Sequence, residues 1–369
     1  MVYRTQFPGQ VSRRTLGNTA RERGHALWHI KSPGLWPTAS AARPGTASNS
    51  GEKLYCIPGC GRWITPAPAT ANIMASRLPL QNGYVLKGYT VGEVLGGGGF
   101  SLVYLASNEL ERHKFVIKEY CPQDLVTRNP DGSLEPNTPL SQMPFRNGLE
   151  KFRFEAQRMS TVRHPNVISV AEYFEANQTL YMVMPHEEGR DLRWFINKLA
   201  GDLDWDFMQQ VFPPIGDGLW RMHQQGVVHL DVKPANVLLR TSGQPLLLDF
   251  GAAQTIDNDD RFGSFQTLTH GFAPPEQYLD GDLGPWTDIY GLAATIYNCI
   301  TGTSPPPALK RREGAALEKL TVSRAGAYPY TLLKAVEDAL SLDQSLRPKD
   351  MHAFLSLAFG ASSHQSGNT

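Results

Sequence analysis

The order of the sequence periodicities predicts a two-lobed α+β fold, a small β-rich lobe followed by a larger α-helical one. Three observations carry this. Before Gly189 most of the readable segments alternate apolar and polar residues, the period of strands. Beyond Gly189 apolar residues recur mostly at helical spacing. Strands come first and helices after, so each kind gathers into its own part of the molecule.

The elements follow in order. Residues 89–95 and 101–106 read as two strands either side of a glycine turn, and 114–119 as a third. Residues 125–147 read as a loop, with Asn129-Pro130-Asp131-Gly132 as its strongest turn signal. Helical spacing covers 152–162, and 179–184 is another strand. Helices are expected at 205–225, 286–302, 328–341 and 348–358. There are no internal repeats. Residues 1–73, rich in Ser, Ala, Pro, Gly, Thr and Arg, lack the apolar content to offset chain entropy. They are expected to be a disordered basic tail, or a mis-assigned extension ahead of a start at Met74. The folded domain is then 84–359, with its small lobe at about 84–186, its large lobe at about 187–359, and a short tail at 360–369.

Composition narrows the function classes. The formal net charge is zero, but residues 1–73 hold nine Lys/Arg against two Asp/Glu, leaving 26 basic and 33 acidic residues beyond them. That acidic balance argues against a nucleic-acid binder. No apolar run approaches the roughly 18–20 residues that span a bilayer, and 289–300 reads as a core helix instead. The N-terminus has no apolar signal core. Cys56, Cys60, Cys121 and Cys299 are too few and too scattered for a disulfide framework, so a reducing, cytoplasmic location is expected.

Several groups carry chemistry. In Leu95-Gly96-Gly97-Gly98-Gly99-Phe100-Ser101 the absent Cβ atoms let backbone N–H groups approach an anion. Such a turn alone is more often a flexible connection. Lys118 lies in the apolar strand Val116-Ile117-Lys118, where its charge is costly unless paired. The run His229-Leu230-Asp231-Val232-Lys233-Pro234-Ala235-Asn236 is followed by Asp249-Phe250-Gly251. Together they hold a candidate base, a cation and hard oxygen ligands for a metal, the parts that phosphoryl transfer needs. Taken singly, each has a bland reading: a capping aspartate, a solvated lysine, a turn asparagine.

In this order and at this spacing, the motifs resemble the eukaryotic-like serine/threonine protein kinases. Residues 118–122 and 271–278 look closest to the bacterial branch. The likeness covers 84–359 and implies the protein-kinase fold, with ATP and Mg²⁺ as cofactors and Ser/Thr hydroxyls of proteins, including its own, as acceptors. It implies catalytic roles for Asp231 as base, Lys233 at the γ-phosphate, Lys118 at the α- and β-phosphates, and Glu155 as the helix partner of Lys118. Gly96 and Gly98 would cover the phosphates. Val103, Val116 and Leu238 would sandwich the adenine beside the gatekeeper Met184. The backbone of His186 or Glu187 would bond its edge, because Pro185 lacks an N–H, and Asp191 would reach the ribose. Asn236 and Asp249 would hold the metal, with Phe250 as a packing hinge. Glu276 would pair with Arg347, and Asp288 would anchor the catalytic loop. Thr269, Pro275-Glu276 and Asp288 favour a protein acceptor over a small molecule.

Two departures matter. Ser101 replaces the third loop glycine. Leu230 stands where the family commonly has an arginine that pairs with a phosphorylated activation segment, and leucine offers a phosphate no donor. Activity is therefore expected not to depend on phosphorylation within 252–273, although Thr255, Ser264 and Thr267 are by-product acceptors. The alternative is a pseudokinase, a nucleotide-binding scaffold, which loss of Lys118, Asp231 or Asp249 would favour. None is missing. Control is expected to come from a partner, from 1–73, or from nowhere in this chain.

Overall fold

Alternation in 85–120 and 172–185 produces one antiparallel sheet in the computed structural model. Its strands are Val85–Leu86 (β1), Tyr89–Gly97 (β2), Ser101–Asn108 (β3), Lys114–Tyr120 (β4), Glu172–Ala176 (β5) and Thr179–Pro185 (β6), in the order β1-β2-β3-β4-β6-β5. The structure describes residues 79–108, 113–199, 203–249, 268–279 and 281–360, with strand backbone at Tyr55–Cys56, Trp63–Ile64 and Gln254–Thr255. All belong to the unit Glu52–Thr369. Within the stretch expected to be disordered, Tyr55–Cys56 pairs with Trp63–Ile64, in keeping with the strand preference of Tyr, Trp and Ile.

Register decides which side chains share a face. Val103 lies opposite Lys118, while Met182 and Met184 lie opposite Lys118 and Val116. Successive side chains alternate, so Val103, Val116, Lys118 and Met184 line one face. Glu119, Tyr104 and Tyr181 belong to the other, with Tyr181 directly opposite Glu119. Asn177 and Gln178, both at positive φ, close the β5–β6 hairpin.

The stretch 125–147 departs from the expected loop. Val126–Arg128 pairs with Leu134–Pro136 across the Asn129–Gly132 turn, and Val126 and Leu134 are buried. The turn signal was legible; three-residue strands are too short to show a period. Helix α1 runs Gln142–Met159, ten residues earlier than expected, because Arg146, Asn147 and Gly148 dilute the apolar stripe of its first turns. Thr138 and Pro139 open a short 3₁₀ turn, capped by the threonine side chain, that leads into it.

The large lobe begins with Leu192–Leu199 (α2) and Trp205–Gln224 (α3). Asp204 caps α3 by accepting from the Phe207 N–H at 2.9 Å. The helix continues through Pro213-Pro214, with Met208, Val211, Phe212, Ile215, Leu219 and Met222 along its buried stripe. Helix α4, Pro285–Thr301, is buried nearly all round, as its apolar run predicts, and stops at Gly302 with φ 77°. Helices Tyr330–Ala339 (α5) and Met351–Phe359 (α6) pack beside it. Among the described residues no helix is long and apolar enough to cross a membrane.

Candidate active site

Two short strand pairs set up the loop 229–236: Val227–Val228 pairs with Gln254–Thr255, and Val237–Arg240 with Pro245–Leu247. Between them, Asp288 from α4 is wholly buried and accepts from the His229 N–H at 2.8 Å, the Leu230 N–H at 2.7 Å and His223 Nε2 at 2.7 Å. Burial alone would raise the Asp288 pKa, but the His223 bond and its charge, together with His229, hold it below the ordinary carboxylate range. Asp288 thus anchors the loop, as expected. The ring of His229 faces the Leu248 carbonyl through Nε2 at 3.1 Å and the Asp231 N–H through Nδ1 at 3.2 Å. A carbonyl only accepts and an N–H only donates, which specifies the Nε2–H tautomer.

Leu230 is buried and adopts φ 64°, a strained setting for a residue other than glycine. Its N–H goes to Asp288, and its carbonyl accepts from Gln277 Nε2 at 2.9 Å. Side chains from two later segments therefore grip the peptide units on both sides of it. Sequence reading identified Leu230 as a departure but missed Gln277 and His223.

The next residues converge on one carboxylate. Asp231 Oδ2 lies 2.6 Å from Lys233 Nζ and accepts from Asn236 Nδ2 at 3.0 Å. Asp231 Oδ1 accepts from the Thr269 hydroxyl at 3.0 Å, and Lys233 in turn donates to Thr269 Oγ1 at 3.0 Å. Asn236 closes the 3₁₀ turn Pro234–Asn236 and also donates to the Asp231 carbonyl at 2.9 Å.

From the sheet side, Lys118 is 7% exposed and lies between two carboxylates: Asp249 Oδ1 at 2.8 Å and Glu155 Oε1 of α1 at 3.4 Å. Burial disfavours the ammonium, yet Asp249 and Glu155 outweigh it and hold the Lys118 pKa above its usual value. Burial pushes the Glu155 carboxyl up to about 7, with Lys118 opposing and Asp249 adding to the rise. Asp249 itself has φ 50° and a half-exposed side chain. Phe250 and the expected acceptors Ser264 and Thr267 lie outside the described residues, as does the side chain of Thr255.

The β2–β3 turn holds Gly96 opposite Val103, with Gly98 N–H bonded to Ser101 O at 3.1 Å. A Cβ on Gly96 or Gly98 would meet nothing; one on Gly97 would lie 2.7 Å from Ser101 O. Gly97 is thus the glycine the turn itself requires. At the hinge the structure corrects one of two expected donors. The His186 N–H is spent on Lys114 O at 3.0 Å, an extension of the β4–β6 ladder, which leaves Glu187 as the candidate. Glu187 is held through its carboxylate by Arg240 at 3.0 and 3.2 Å, and Arg240 also donates to the Pro165 carbonyl at 3.1 Å. Asp191, expected at the ribose, caps the Leu192–Leu199 helix through the Trp194 N–H at 3.0 Å and pairs with Arg193. Leu238 lies opposite Asp191 on the neighbouring strand.

Below the loop, Glu276 and Arg347 form the expected pair, a buried two-pronged contact at 2.6 and 3.0 Å.

A sheet with a lysine–glutamate pair, set over a helical lobe carrying a clustered Asp-Lys-Asn loop, defines the protein-kinase class. The family model for the protein kinase domain matches residues 89–354, and the chain belongs to that family. It is 28% identical over 228 residues to the serine/threonine-protein kinase PrkC of Bacillus subtilis, covering 59% of this chain and 31% of that protein. Against the serine/threonine-protein kinase PknB of Mycobacterium leprae it is 28% identical over 226 residues, 59% of this chain and 33% of that one. With PknA of Mycobacterium tuberculosis it shares 32% identity over 163 residues, 42% and 38% of the two chains. The chain spans about a third of the length of these relatives. A solved structure, PpkA-294 in its apo form, superposes with a TM-score of 0.66 at 32% identity, over 77% of this chain and 100% of that one.

Proposed function

We propose that this chain is a serine/threonine protein kinase that transfers the γ-phosphate of Mg-ATP to protein hydroxyls without needing a phosphate on 252–273. The observation that carries the reading is the Asp231 carboxylate, gripped at once by Lys233, Asn236 and Thr269. An acceptor hydroxyl placed there loses its proton to Asp231 while the neighbouring Lys233 offsets charge on the transferred group. The named relatives are serine/threonine kinases, which supports the choice of acceptor.

ATP fits the cleft face of the sheet. Val103, Val116 and Met184 share that face, Leu238 closes the base from the large lobe, and the Glu187 backbone takes the adenine edge. Gly96 and Gly98 lie over the phosphates, Lys118 swings from Asp249 to the α- and β-phosphates, and Asp191 offers the ribose the lone pairs its cap leaves over. Asn236 and Asp249 supply one amide oxygen and one carboxylate, hard ligands suited to Mg²⁺ that shares its shell with phosphate. The metal would offset charge on the triphosphate. Among the described residues no group of three or more His, Cys, Asp or Glu side chains forms a closed metal site, and this sharing needs none. We further assign 84–359 as the catalytic domain, place the protein in the cytoplasm, and expect some self-phosphorylation.

The test is transfer of labelled γ-phosphate to the chain itself and to a generic protein acceptor, beside Asp231→Asn. Label on serine or threonine that the variant lacks supports the reading. Nucleotide binding without transfer by the wild type overturns it in favour of a scaffold.

A further inference from the structure

The strand that carries Lys118 also carries the most deeply buried charge of the small lobe. Glu119 has no exposed surface, although its side chain leaves the sheet on the face opposite the cleft. Its Oε2 accepts from Arg128 at 2.6 Å and from the Tyr104 hydroxyl at 2.7 Å, and its Oε1 accepts from the Tyr181 hydroxyl at 2.6 Å. Arg128 belongs to the ribbon Val126–Arg128/Leu134–Pro136 and also donates to the Gly132 carbonyl across the ribbon turn at 2.8 Å. The ribbon is tied elsewhere as well: Leu134 N–H to Asn177 O at 2.9 Å, and the Tyr84 hydroxyl to the Asp131 carbonyl at 3.2 Å.

This cluster plays no part in the phosphate chemistry, yet it occupies a telling place in the chain. The ribbon lies within the chain segment that joins Tyr120, the end of the lysine strand, to Gln142, the start of the helix that carries Glu155. Leaving the strand, the chain is fixed at Glu119 by Arg128; entering the helix, it is fixed by Thr138 and by packing of Phe145 and Phe152 on Tyr120, at ring separations of 5.5 and 5.7 Å. A buried ion pair left with one partner is costly, so the ribbon resists lifting from the sheet.

We propose that the Arg128–Glu119 pair makes this ribbon a permanent brace, holding α1 where Glu155 meets Lys118, with Arg128 as a positioning residue for phosphoryl transfer. The inference rests on the kinase reading of the site. It gives this chain an internal means of setting the helix, in a protein whose Leu230 provides no cation for a phosphate.

The experiment uses the full chain with Arg128→Met, Arg128→Lys and the doubly apolar Glu119→Met/Arg128→Met, which folds more readily if the lone carboxylate of Arg128→Met does not tolerate burial. Amide exchange over 142–159 reads the brace directly, whether or not the protein transfers phosphate. The expected result is at least tenfold faster exchange across α1 in Arg128→Met or the double variant, with exchange in α4 unchanged. Arg128→Lys should restore most of the protection. Transfer should fall at least tenfold in kcat with a smaller change in KM for ATP. In an Glu155→Gln background the Arg128 change should cost little more, because its route to the chemistry has been removed. Unchanged α1 exchange in the folded variants overturns the proposal, and so does an equal further loss of transfer in the Glu155→Gln background. Wild-type protein that transfers nothing refutes the kinase reading alone, since the exchange result stands apart from it.

Discussion

The Lys118 ammonium lies 2.8 Å from Asp249, nearer than the 3.4 Å that separates it from Glu155. The lysine bridges the candidate metal ligand and the helix. Lys118→Met leaves two carboxylates facing each other across an apolar side chain. We expect kcat to fall more than 100-fold while the dissociation constant for ATP rises less than tenfold, because the lysine acts mainly on charge that develops during transfer. Comparable losses in both, from steady-state kinetics beside nucleotide titration, would count against that role.

Glu155 gives the same site a pH dependence whose sign can be worked out. Burial lifts its pKa from the ordinary 4.5 to about 7, so between those values the folded protein holds a proton that the unfolded chain releases. Its contribution to stability is complete below pH 4.5 and is lost as pH rises through 7. Measured by denaturant unfolding without nucleotide or metal, wild type should lose about 2 kcal/mol relative to Glu155→Gln between pH 5.5 and 8. Parallel curves for the two proteins would remove burial as the dominant influence on this carboxyl.

The packing of α1 on the lysine strand leaves no room at Gly148. A Cβ there would fall 2.0 Å from the Tyr120 hydroxyl oxygen, which itself donates to the Phe145 carbonyl at 3.3 Å. Gly148→Ala must push the helix away or turn the ring aside, at a cost of about 1–3 kcal/mol. Phosphate transfer should fall with stability, since Glu155 moves with the helix. Adding Tyr120→Phe removes the colliding oxygen and should recover part of both. If thermal unfolding of the double variant is no better than that of Gly148→Ala, the clash lies elsewhere.

Arg347 and Glu276 meet far apart in sequence and almost out of solvent, and Arg347 also lies 5.0 Å from the Tyr290 ring centre. Arg347→Met strands a buried carboxylate, for which we expect a loss of about 3–5 kcal/mol. Replacing both partners by apolar residues should recover much of it. An unfolding free energy for Arg347→Met within 1 kcal/mol of wild type would contradict burial of the pair.

What could be read from sequence was whatever is local or periodic. The strands at 89, 101, 114 and 179 start where expected because their alternation is clean, and α3 was legible despite Pro213-Pro214 because its apolar stripe spans five turns. Asp231, Lys233 and Asn236 fall within one loop, so their meeting is a matter of spacing. Contacts made only by the fold escaped. Gln277 reaching the Leu230 carbonyl, Arg240 holding Glu187, and Arg128 meeting Glu119 beneath a ribbon of three-residue strands leave no periodic trace. Nor does a sequence reveal that the His186 N–H is spent within the sheet.

Leu230 bears on the last expectation. Its side chain is 6% exposed, and its flanking peptide groups are held by Asp288 and Gln277, so the loop is set by neutral and anionic partners rather than by a cation awaiting a phosphate. A phosphoryl group needs charged or multiple donors, and leucine has none. The triple variant Thr255→Ala/Ser264→Ala/Thr267→Ala should therefore keep kcat/KM within about threefold of wild type, a change worth less than 1 kcal/mol. Self-phosphorylation counted by mass should decline in the same protein, which separates the by-product from the requirement. A 100-fold loss of transfer to an external substrate would mean that a phosphate in this segment is needed after all, and that some cation other than residue 230 receives it.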